Sequence, residues 1–200
     1  MKAIGFDQSL TGFGWAVLSD TGGGNLLRCG VWSTQREAAP GKVTADNTRR
    51  FGFLGQCALE LVEAERSSDS YENETALFIE GLGVFGDRFT TAIGQGRLLG
   101  IVEGIALTLR LPLAEVPSLE VKKLVPIFGK RRKVEKREVA DAVFELYPEA
   151  RELVREAVRD YPRVAGEKAA ENVTDSIAIA HVGMRRAAFV ARLSAGGGGW

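Results

Sequence analysis

Three acidic residues stand next to short apolar runs in this sequence. Asp7 ends an apolar run at residues 3–7, Glu80 follows the run ALFI, and Asp175 lies just before an Ile-Ala-Ile-Ala run. A carboxylate beside apolar neighbours loses hydration, which is costly unless a cation or hydrogen-bond donors compensate it. Hard divalent cations take oxygen ligands, and two of them about 3.5–4 Å apart can promote hydrolysis of a phosphodiester. The three acids together predict such a metal centre, although any one alone is equally consistent with an ordinary solvated carboxylate.

Such a site needs secondary-structure elements that carry the three acids to one point. The predicted strands are at residues 3–7, 13–17, 26–32, 76–79 and 113–116. The first predicted helix begins at a cap, Thr44 or Asp46, and its apolar residues recur from Phe51 to Val62; the other helices are predicted at about 88–109, 133–146, 149–159 and 172–193. A helix between two strands indicates a crossover, which makes the fourth strand parallel to the first. If these two strands are neighbours, Asp7 and Glu80 converge. This order is that of the ribonuclease H-like fold, an α/β domain whose five-stranded mixed sheet is flanked by helices.

Length and composition indicate one domain. The 200 residues are predicted to form a single ribonuclease H-like domain over residues 1–193, followed by a flexible, glycine-rich tail at residues 194–200. There is no run of 18 uninterrupted apolar residues, and the chain opens directly on a strand pattern. We therefore expect a soluble, cytoplasmic protein of a bacterial or phage-infected cell, with no membrane partner.

Basic residues are concentrated in one segment even though the formal net charge is zero. Residues 120–137 hold eight basic residues against two acids, a local excess of six positive charges. The basic residues are Lys122, Lys123, Lys130, Arg131, Arg132, Lys133, Lys136 and Arg137. A charge run is usually a solvated helix face, but Pro126 and Gly129 within this one favour a loop and helix start that grips phosphates.

Five segments in order resemble those of the RuvC Holliday-junction resolvases. The segment IGFDQSLTGFG at residues 4–14 resembles the opening strand and turn of that family. The second segment is FIE followed by GQGR, which resemble the family's second acidic strand and the start of the helix behind it. The remaining three segments are VKK, KREV and DSIAIA. No single segment is specific. The five together span residues 3–182, and their order carries the resemblance.

The resemblance implies a role for each matching residue. Asp7, Glu80 and Asp175 would bind two magnesium ions, for which manganese substitutes, with no small-molecule cofactor. Lys136, together with Lys122, would neutralise the scissile phosphate. A further ligand of the family lies three residues before its last aspartate, where this chain has Asn172, with Glu171 one place earlier. Both Glu171 and Asn172 are candidates on one helix face, and we favour Glu171 because a carboxylate binds a hard cation better.

Partner surfaces follow from the same resemblance. The family's strand-opening aromatic falls on Gly83 here, so Phe85 or Phe89 is the candidate to stack on an unpaired base, unless it folds onto the core. The predicted DNA-binding set is Lys122, Lys123, Lys130, Arg131, Arg132, Lys133, Arg137, Phe85 and Arg88. Gly96, Gly100 and Gly104 form a smooth helix face that packs either on the sheet or on a second subunit. The resemblance favours a homodimer, whose two-fold symmetry matches a four-way junction.

The sequence therefore predicts a dimeric, magnesium-dependent endonuclease that resolves four-way or other branched DNA with paired nicks. Two alternatives stay open: another ribonuclease H-like nuclease, such as a YqgF-type RNA-processing enzyme, and a branched-DNA binding module without catalysis. An actin-like ATPase, which also begins with a strand and Gly-x-Asp, needs a duplicated domain for which 200 residues leave no room.

Overall fold

The computed structural model of the chain describes residues 1–21, 24–37, 43–67, 74–82, 89–126 and 133–196, with side chains except at residues 43, 89–91 and 189–196. Its strands are β1 (Lys2–Asp7), β2 (Phe13–Ser19), β3 (Asn25–Trp32), β4 (Thr75–Glu80) and β5 (Leu113–Val116). Its helices are α1 (Val43–Ser67), α2 (Phe89–Leu109), α3 (Ser118–Lys122), α4 (Lys136–Leu146), α5 (Ala150–Ala157) and α6 (Arg163–Gly196). All five predicted strands are present.

The strands form one mixed sheet in the order β3-β2-β1-β4-β5. β1, β2 and β3 pair antiparallel, and the crossovers through α1 and α2 make β4 parallel to β1 and β5 parallel to β4. In the β1–β4 pair Phe6 lies opposite Ile79, so the next residues are Asp7 and Glu80. The prediction that the first and fourth strands are parallel neighbours is confirmed.

Two apolar layers enclose the sheet. On one face α1 and α2 pack with Phe51, Leu54 and Leu98 buried, as the helical spacing of apolar residues predicts. On the other face α6 crosses β1 and β2 while α3, α4 and α5 surround it, with Val173 and Ile177 fully buried. The sheet is therefore covered on both faces, and the carboxyl end of β1 opens between the two layers.

The helices differ from the predictions at α1, α3, α4 and both ends of α6. α1 begins at Val43, so the predicted caps Thr44 and Asp46 lie inside its first turn. α6 begins at Arg163, nine residues before the predicted start at residue 172, and continues through Gly196, past the predicted domain end at residue 193. The short helix α3 was not predicted, and α4 begins at Lys136 rather than at residue 133. The early turns of α6 were missed because only small residues, Gly166 and Ala169, are buried there. Without an apolar stripe these turns give no helical signal.

α6 lies directly against the sheet because glycines occupy the contact positions. A Cβ atom on Gly5 would stand 2.3 Å from the carbonyl oxygen of Ser176, and one on Gly14 would stand 2.1 Å from the carbonyl oxygen of Asn172. A real Cβ atom cannot approach oxygen so closely, so only glycine fits at both positions. These two contacts set the height of α6 above the strands.

α2 is the one helix in the described part of the chain that is long and apolar enough to cross a membrane, judged by length and composition alone. One side of this helix packs on the sheet through Leu98, Val102 and Ile105, which are buried. The opposite side exposes Ile93 and Leu107. An apolar core helix with an uncovered outer face meets the same criterion as a membrane span.

Replacing Gly5 by alanine tests the contact between α6 and the sheet. Because the new Cβ atom overlaps the backbone of α6, Gly5→Ala should lower the free energy of unfolding by about 1–3 kcal/mol. Gly52→Ala is the matched control, since nothing lies within 4 Å of a Cβ atom at that helical position, and it should be neutral or stabilising. Chemical denaturation measures both. Equal stability of the two variants would contradict a close contact at Gly5.

Candidate active site

The three predicted acids meet at the carboxyl end of β1. Asp7 ends β1, Glu80 ends β4, and Asp175 faces them from α6 across the contact made at Gly5. All three line a cleft of about 590 Å³. We call it the carboxylate cleft; its other lining residues include Gln8, Ser9, Gln95, Ser118, Lys122, Lys133, Lys136, Lys168 and Asn172.

Asp7 stands at the electrostatic centre of this cleft. Only 7% of the residue is exposed. Burial raises its pKa well above the ordinary value, and the negative charges of Asp175 and Glu80 raise it further, while Lys136 acts in the opposite direction. The folded protein therefore holds a carboxylate where a negative charge is unfavourable, and a cation placed there would relieve that cost.

Lys136 is the counter-ion of the acids. Its Nζ atom lies 3.3 Å from Asp175 Oδ2 and 3.4 Å from Glu171 Oε2. Burial lowers the pKa of Lys136, but the neighbouring carboxylates of Asp175, Asp7 and Glu171 outweigh this effect and the net pKa is raised. Lys136 is the first residue of α4, whose start is held by a capping box between Glu135 and Glu138. The helix therefore holds a charged ammonium group at the cleft.

The pKa values of Glu80 and Asp175 are also raised, but less than that of Asp7. Burial is the largest cause of the raised pKa of each. For Glu80 a hydrogen bond from Ser118 acts against the rise, and for Asp175 the positive charge of Lys136 does so. Lys122 lowers both pKa values by its charge. The cleft thus has an acidic floor and a basic rim.

Two glutamine side chains, the buried Gln8 and the half-buried Gln95, lie beside the acids. Gln8, only 1% exposed, donates from Nε2 to the backbone carbonyl of Glu80 at 2.6 Å. Gln95 donates to the backbone carbonyl of Gln8 at 3.5 Å. The Oε1 atoms of both glutamines are buried and accept no hydrogen bond within the described part of the chain. The two hydrogen bonds donated by Gln8 and Gln95 connect β1 to β4 and α2 next to Asp7 and Glu80.

Glu171 and Asn172, the two candidates for a fourth metal ligand, make different contacts. Glu171 is exposed and its carboxylate reaches Lys136, on the side of Asp175. Asn172 is buried and donates from Nδ2 to the backbone carbonyl of Gly12 at 2.6 Å. Asn172 therefore anchors α6 to the connection between β1 and β2, whereas Glu171 belongs to the charged group around Lys136.

The structure brings only part of the predicted DNA-binding set to the cleft. Lys122 and Lys133 line its rim. Lys123 pairs with Glu120, and neither it nor Arg137 lines the cleft. Lys130, Arg131, Arg132, Phe85 and Arg88 lie outside the described residues, as does the Gly83 position.

Sequence reasoning missed four residues that line the cleft. Gln95 belongs to the GQGR segment noted above, but nothing in its type indicated a role. Gln8 follows Asp7 directly, and Ser118 begins the unpredicted helix α3. Lys168 lies in the part of α6 that was not predicted as helix. Its position two helical turns before Asp175 becomes visible only once the true start of α6 is known.

The donor set fits a hard divalent cation. Among the described residues no group of three acidic, histidine or cysteine side chains is close enough to form a ready cation cluster, and Lys136 bridges two of the carboxylates. The available donors around Asp7 are nevertheless oxygen atoms from three separate elements, partly buried and mutually repelling. Carboxylate oxygens are the ligands that Mg²⁺ and Mn²⁺ prefer.

Two solved structures match this arrangement of strands and helices. One is T. thermophilus RuvC in complex with Holliday junction substrate, with 23% identity, 96% of each chain covered and a TM-score of 0.61. The other is a Thermus thermophilus RuvC structure, with 23% identity, 97% of each chain covered and a TM-score of 0.63. This chain has the RuvC fold.

The similarity to RuvC extends over nearly the whole chain, and it is a similarity of three-dimensional structure. No family model matches the sequence, and no curated protein matches it either. The predicted five-stranded mixed sheet with flanking helices is confirmed by the sheet order and by the RuvC structures. The acids of the carboxylate cleft therefore lie on a RuvC scaffold.

The raised carboxyl pKa values predict how the stability of the metal-free protein depends on pH. The folded state retains protons on Asp7, Glu80 and Asp175 that the unfolded chain has released. Between the ordinary aspartate pKa of 3.8 and the raised values, the free energy of unfolding should therefore fall as the pH rises. Thermal unfolding in EDTA over this range measures the slope, and adding Mg²⁺ at neutral pH should restore stability.

Asp7→Asn provides the control for this prediction. Removing the buried charge should raise the metal-free stability at neutral pH by about 0.5–2 kcal/mol and abolish the gain on adding Mg²⁺. Asp141→Asn, at an exposed position on α4, should change neither quantity. An Asp7→Asn variant that is less stable than wild type in EDTA would refute the unfavourable charge at Asp7.

Proposed function

We propose that this chain is a divalent-metal-dependent endonuclease that resolves four-way DNA junctions by paired nicks in opposed strands. The observation that carries the proposal is the convergence of Asp7, Glu80 and Asp175, from two strands and a helix, in one cleft with Lys136. A cleft of this kind on a RuvC fold suits phosphodiester hydrolysis, because oxygen donors and a basic rim surround the space where a phosphate would lie.

Each side chain of the cleft has a role in this reaction. A pair of Mg²⁺ ions bound by Asp7, Glu80 and Asp175 would supply the charge that activates water and stabilises the leaving oxygen. Lys136, which lies beside Asp175 and Glu171, would place a positive charge on the scissile phosphate. Glu171 is the better fourth ligand, because its carboxylate already belongs to the charged group of Lys136. The Nδ2 atom of Asn172 is committed to the carbonyl of Gly12, so this residue has only its Oδ1 atom to offer.

Two observations support binding of a four-way junction: the lysines beside the carboxylate cleft and the similarity to a RuvC structure. Lys122 and Lys133 place two cations on the rim of the carboxylate cleft, and Lys168 adds a third. Such a rim holds phosphates without reading sequence. One of the RuvC structures with this fold is a complex with a Holliday junction substrate. A four-way junction is therefore the substrate that we propose for this chain.

A homodimer is supported by the outer face of α2. Ile93, Arg97, Gly100, Gly104 and Leu107 share one stripe of this helix, since they follow each other at intervals of three or four residues. No atom of the described residues lies within 4 Å of a Cβ atom placed on Gly100 or Gly104, so these glycines do not pack on the sheet of their own chain. Leu107 is 79% exposed. A second copy of α2 would cover this stripe with close backbone contact.

Leu107→Arg tests the dimer. The wild-type protein should sediment with twice the chain mass of 21.6 kDa, and the variant with the mass of one chain, because a charge in the seam would be buried without a partner. Val164→Arg is the matched control, since Val164 on α6 is equally exposed at 81%. A dimer that survives Leu107→Arg, or a wild-type monomer, would refute this seam.

Cleavage of a labelled synthetic four-way junction tests the activity. Wild-type protein with Mg²⁺ or Mn²⁺ should make symmetric nicks in opposed strands and leave matched linear duplex uncut. Asp7→Asn should lower the rate by at least about 100-fold, since a ligand of the reacting centre is lost. Asp141→Asn should cut at the wild-type rate, and EDTA should abolish cleavage.

Other outcomes of this assay would replace the proposal. Tight junction binding with no cleavage under any metal would indicate a binding module. Cleavage of RNA in preference to the junction would indicate an RNA-processing nuclease of the same fold.

A further inference from the structure

A second cleft adjoins the carboxylate cleft, and none of the three acids Asp7, Glu80 and Asp175 lines it. It encloses about 570 Å³ between the β1–β2 connection, the segment after β3 and the start of α6. Its lining includes Gly12, Ser33, Gln35, Asp160, Tyr161 and Lys168. We call it the flanking cleft. Lys168 and Asn172 line both clefts, so the two spaces meet along one side of α6.

The walls of the flanking cleft are held by buried hydrogen bonds. Arg50, only 5% exposed, donates from Nε to Thr34 Oγ1 at 2.8 Å and from Nη2 to the carbonyl of Leu10 at 3.1 Å. Thr34 in turn donates to Leu10. On the opposite side, Asn172 holds Gly12. Such bonds fix the shape of the cleft before any ligand enters, which reduces the entropic cost of binding.

The chemistry of the lining suits a nucleobase at one end and a phosphate at the other. Tyr161 presents a half-buried aromatic ring, and Ser33 and Gln35 are exposed polar side chains beside it. The acid Asp160 makes this end unfavourable for phosphate but can accept a hydrogen bond from a base amino group. Lys168, at the junction with the carboxylate cleft, makes no ion pair among the described residues and is free to bind a phosphate.

The distance between the two clefts suits a continuous strand. Lys168 and Asp175 are seven residues apart on α6, or about 10 Å at 1.5 Å per residue. A strand lying across the carboxylates therefore reaches Lys168 within about three nucleotides at a rise of 3.4 Å each.

We propose that the flanking cleft binds one nucleotide of the cleaved strand, within about three nucleotides of the scissile phosphate. Its base stacks on Tyr161 with its edge toward Gln35 and Asp160, and its phosphate binds Lys168. This inference rests on the proposed nuclease function and deepens it, because a base held at a fixed distance from the acids makes cutting depend on the sequence beside the nick.

Photo-crosslinking with 5-iodouracil locates this base. A series of junctions, and of single strands of the same sequence, carries 5-iodouracil at successive positions and is irradiated with full-length protein in Ca²⁺. Tyr161 should be the crosslinked residue by mass spectrometry, at one position or two adjacent positions near the cut. Absence of a crosslink to Tyr161 at every position would overturn the proposal.

Variants separate stacking from a structural role of Tyr161. Tyr161→Leu should weaken strand binding by about tenfold through lost stacking, whereas Tyr161→Phe keeps the ring and should bind like wild type. Both variants lose the hydrogen bond from the Tyr161 hydroxyl to the Val31 carbonyl, and circular dichroism should show that both remain folded. If the Leu and Phe variants bound the strand equally, whether at the wild-type affinity or more weakly, the stacking role would be overturned.

Lys168→Gln tests the phosphate contact. It should reduce the slope of log Kd against log salt by about one, whereas Arg186→Gln, on an exposed arginine about 27 Å further along α6, should leave the slope unchanged. An unchanged slope for Lys168→Gln would overturn the contact.

Failure of this inference is distinguishable from failure of the nuclease proposal. A protein that crosslinks through Tyr161 but cuts no junction keeps the flanking cleft as a nucleotide site and refutes the resolvase. A protein that cuts junctions without crosslinking at Tyr161 keeps the resolvase and refutes the flanking site.

Discussion

The close contact between α6 and the sheet is the constraint on which the other features depend. Gly5 and Gly14 let the backbone of this helix rest on β1 and β2 at a distance that no side chain would permit. From that position α6 delivers Asp175 to Asp7 and places Lys168 where the two clefts meet. A helix held even slightly higher would leave the acids on separate elements as independent, solvated carboxylates.

The packing that joins the acids also makes them unfavourable to one another. Burial and mutual repulsion raise the pKa values of Asp7, Glu80 and Asp175, and Lys136 offsets only part of this effect. The core tolerates the cost because the surrounding contacts are apolar and extensive on both faces of the sheet. A divalent cation at this position would offset the repulsion, since carboxylate oxygens are the ligands that hard cations prefer.

Rigid polar anchors define the surface beyond the acids. The buried Arg50 fixes the connection after β1 and the segment after β3, and Asn172 fixes α6 to Gly12. Asn172, one of the two predicted candidates for a fourth ligand, thus also has a structural role through its Nδ2 atom. On an exposed surface such a bond would contribute little, but here it satisfies the carbonyl of a buried residue.

The sequence by itself determined the strands, the parallel crossover and the acids at the strand ends, because these depend on local apolar patterning and on the handedness of connections. It left open whether Gly100 and Gly104 face the sheet or the outside, and it placed the start of α6 too late. Those points, like the roles of Ser118 and Lys168, depend on which face of a helix meets which neighbour. Only tertiary packing decided them, because an exposed or small-residue turn carries no periodic signal and distant residues become partners only when their elements are docked.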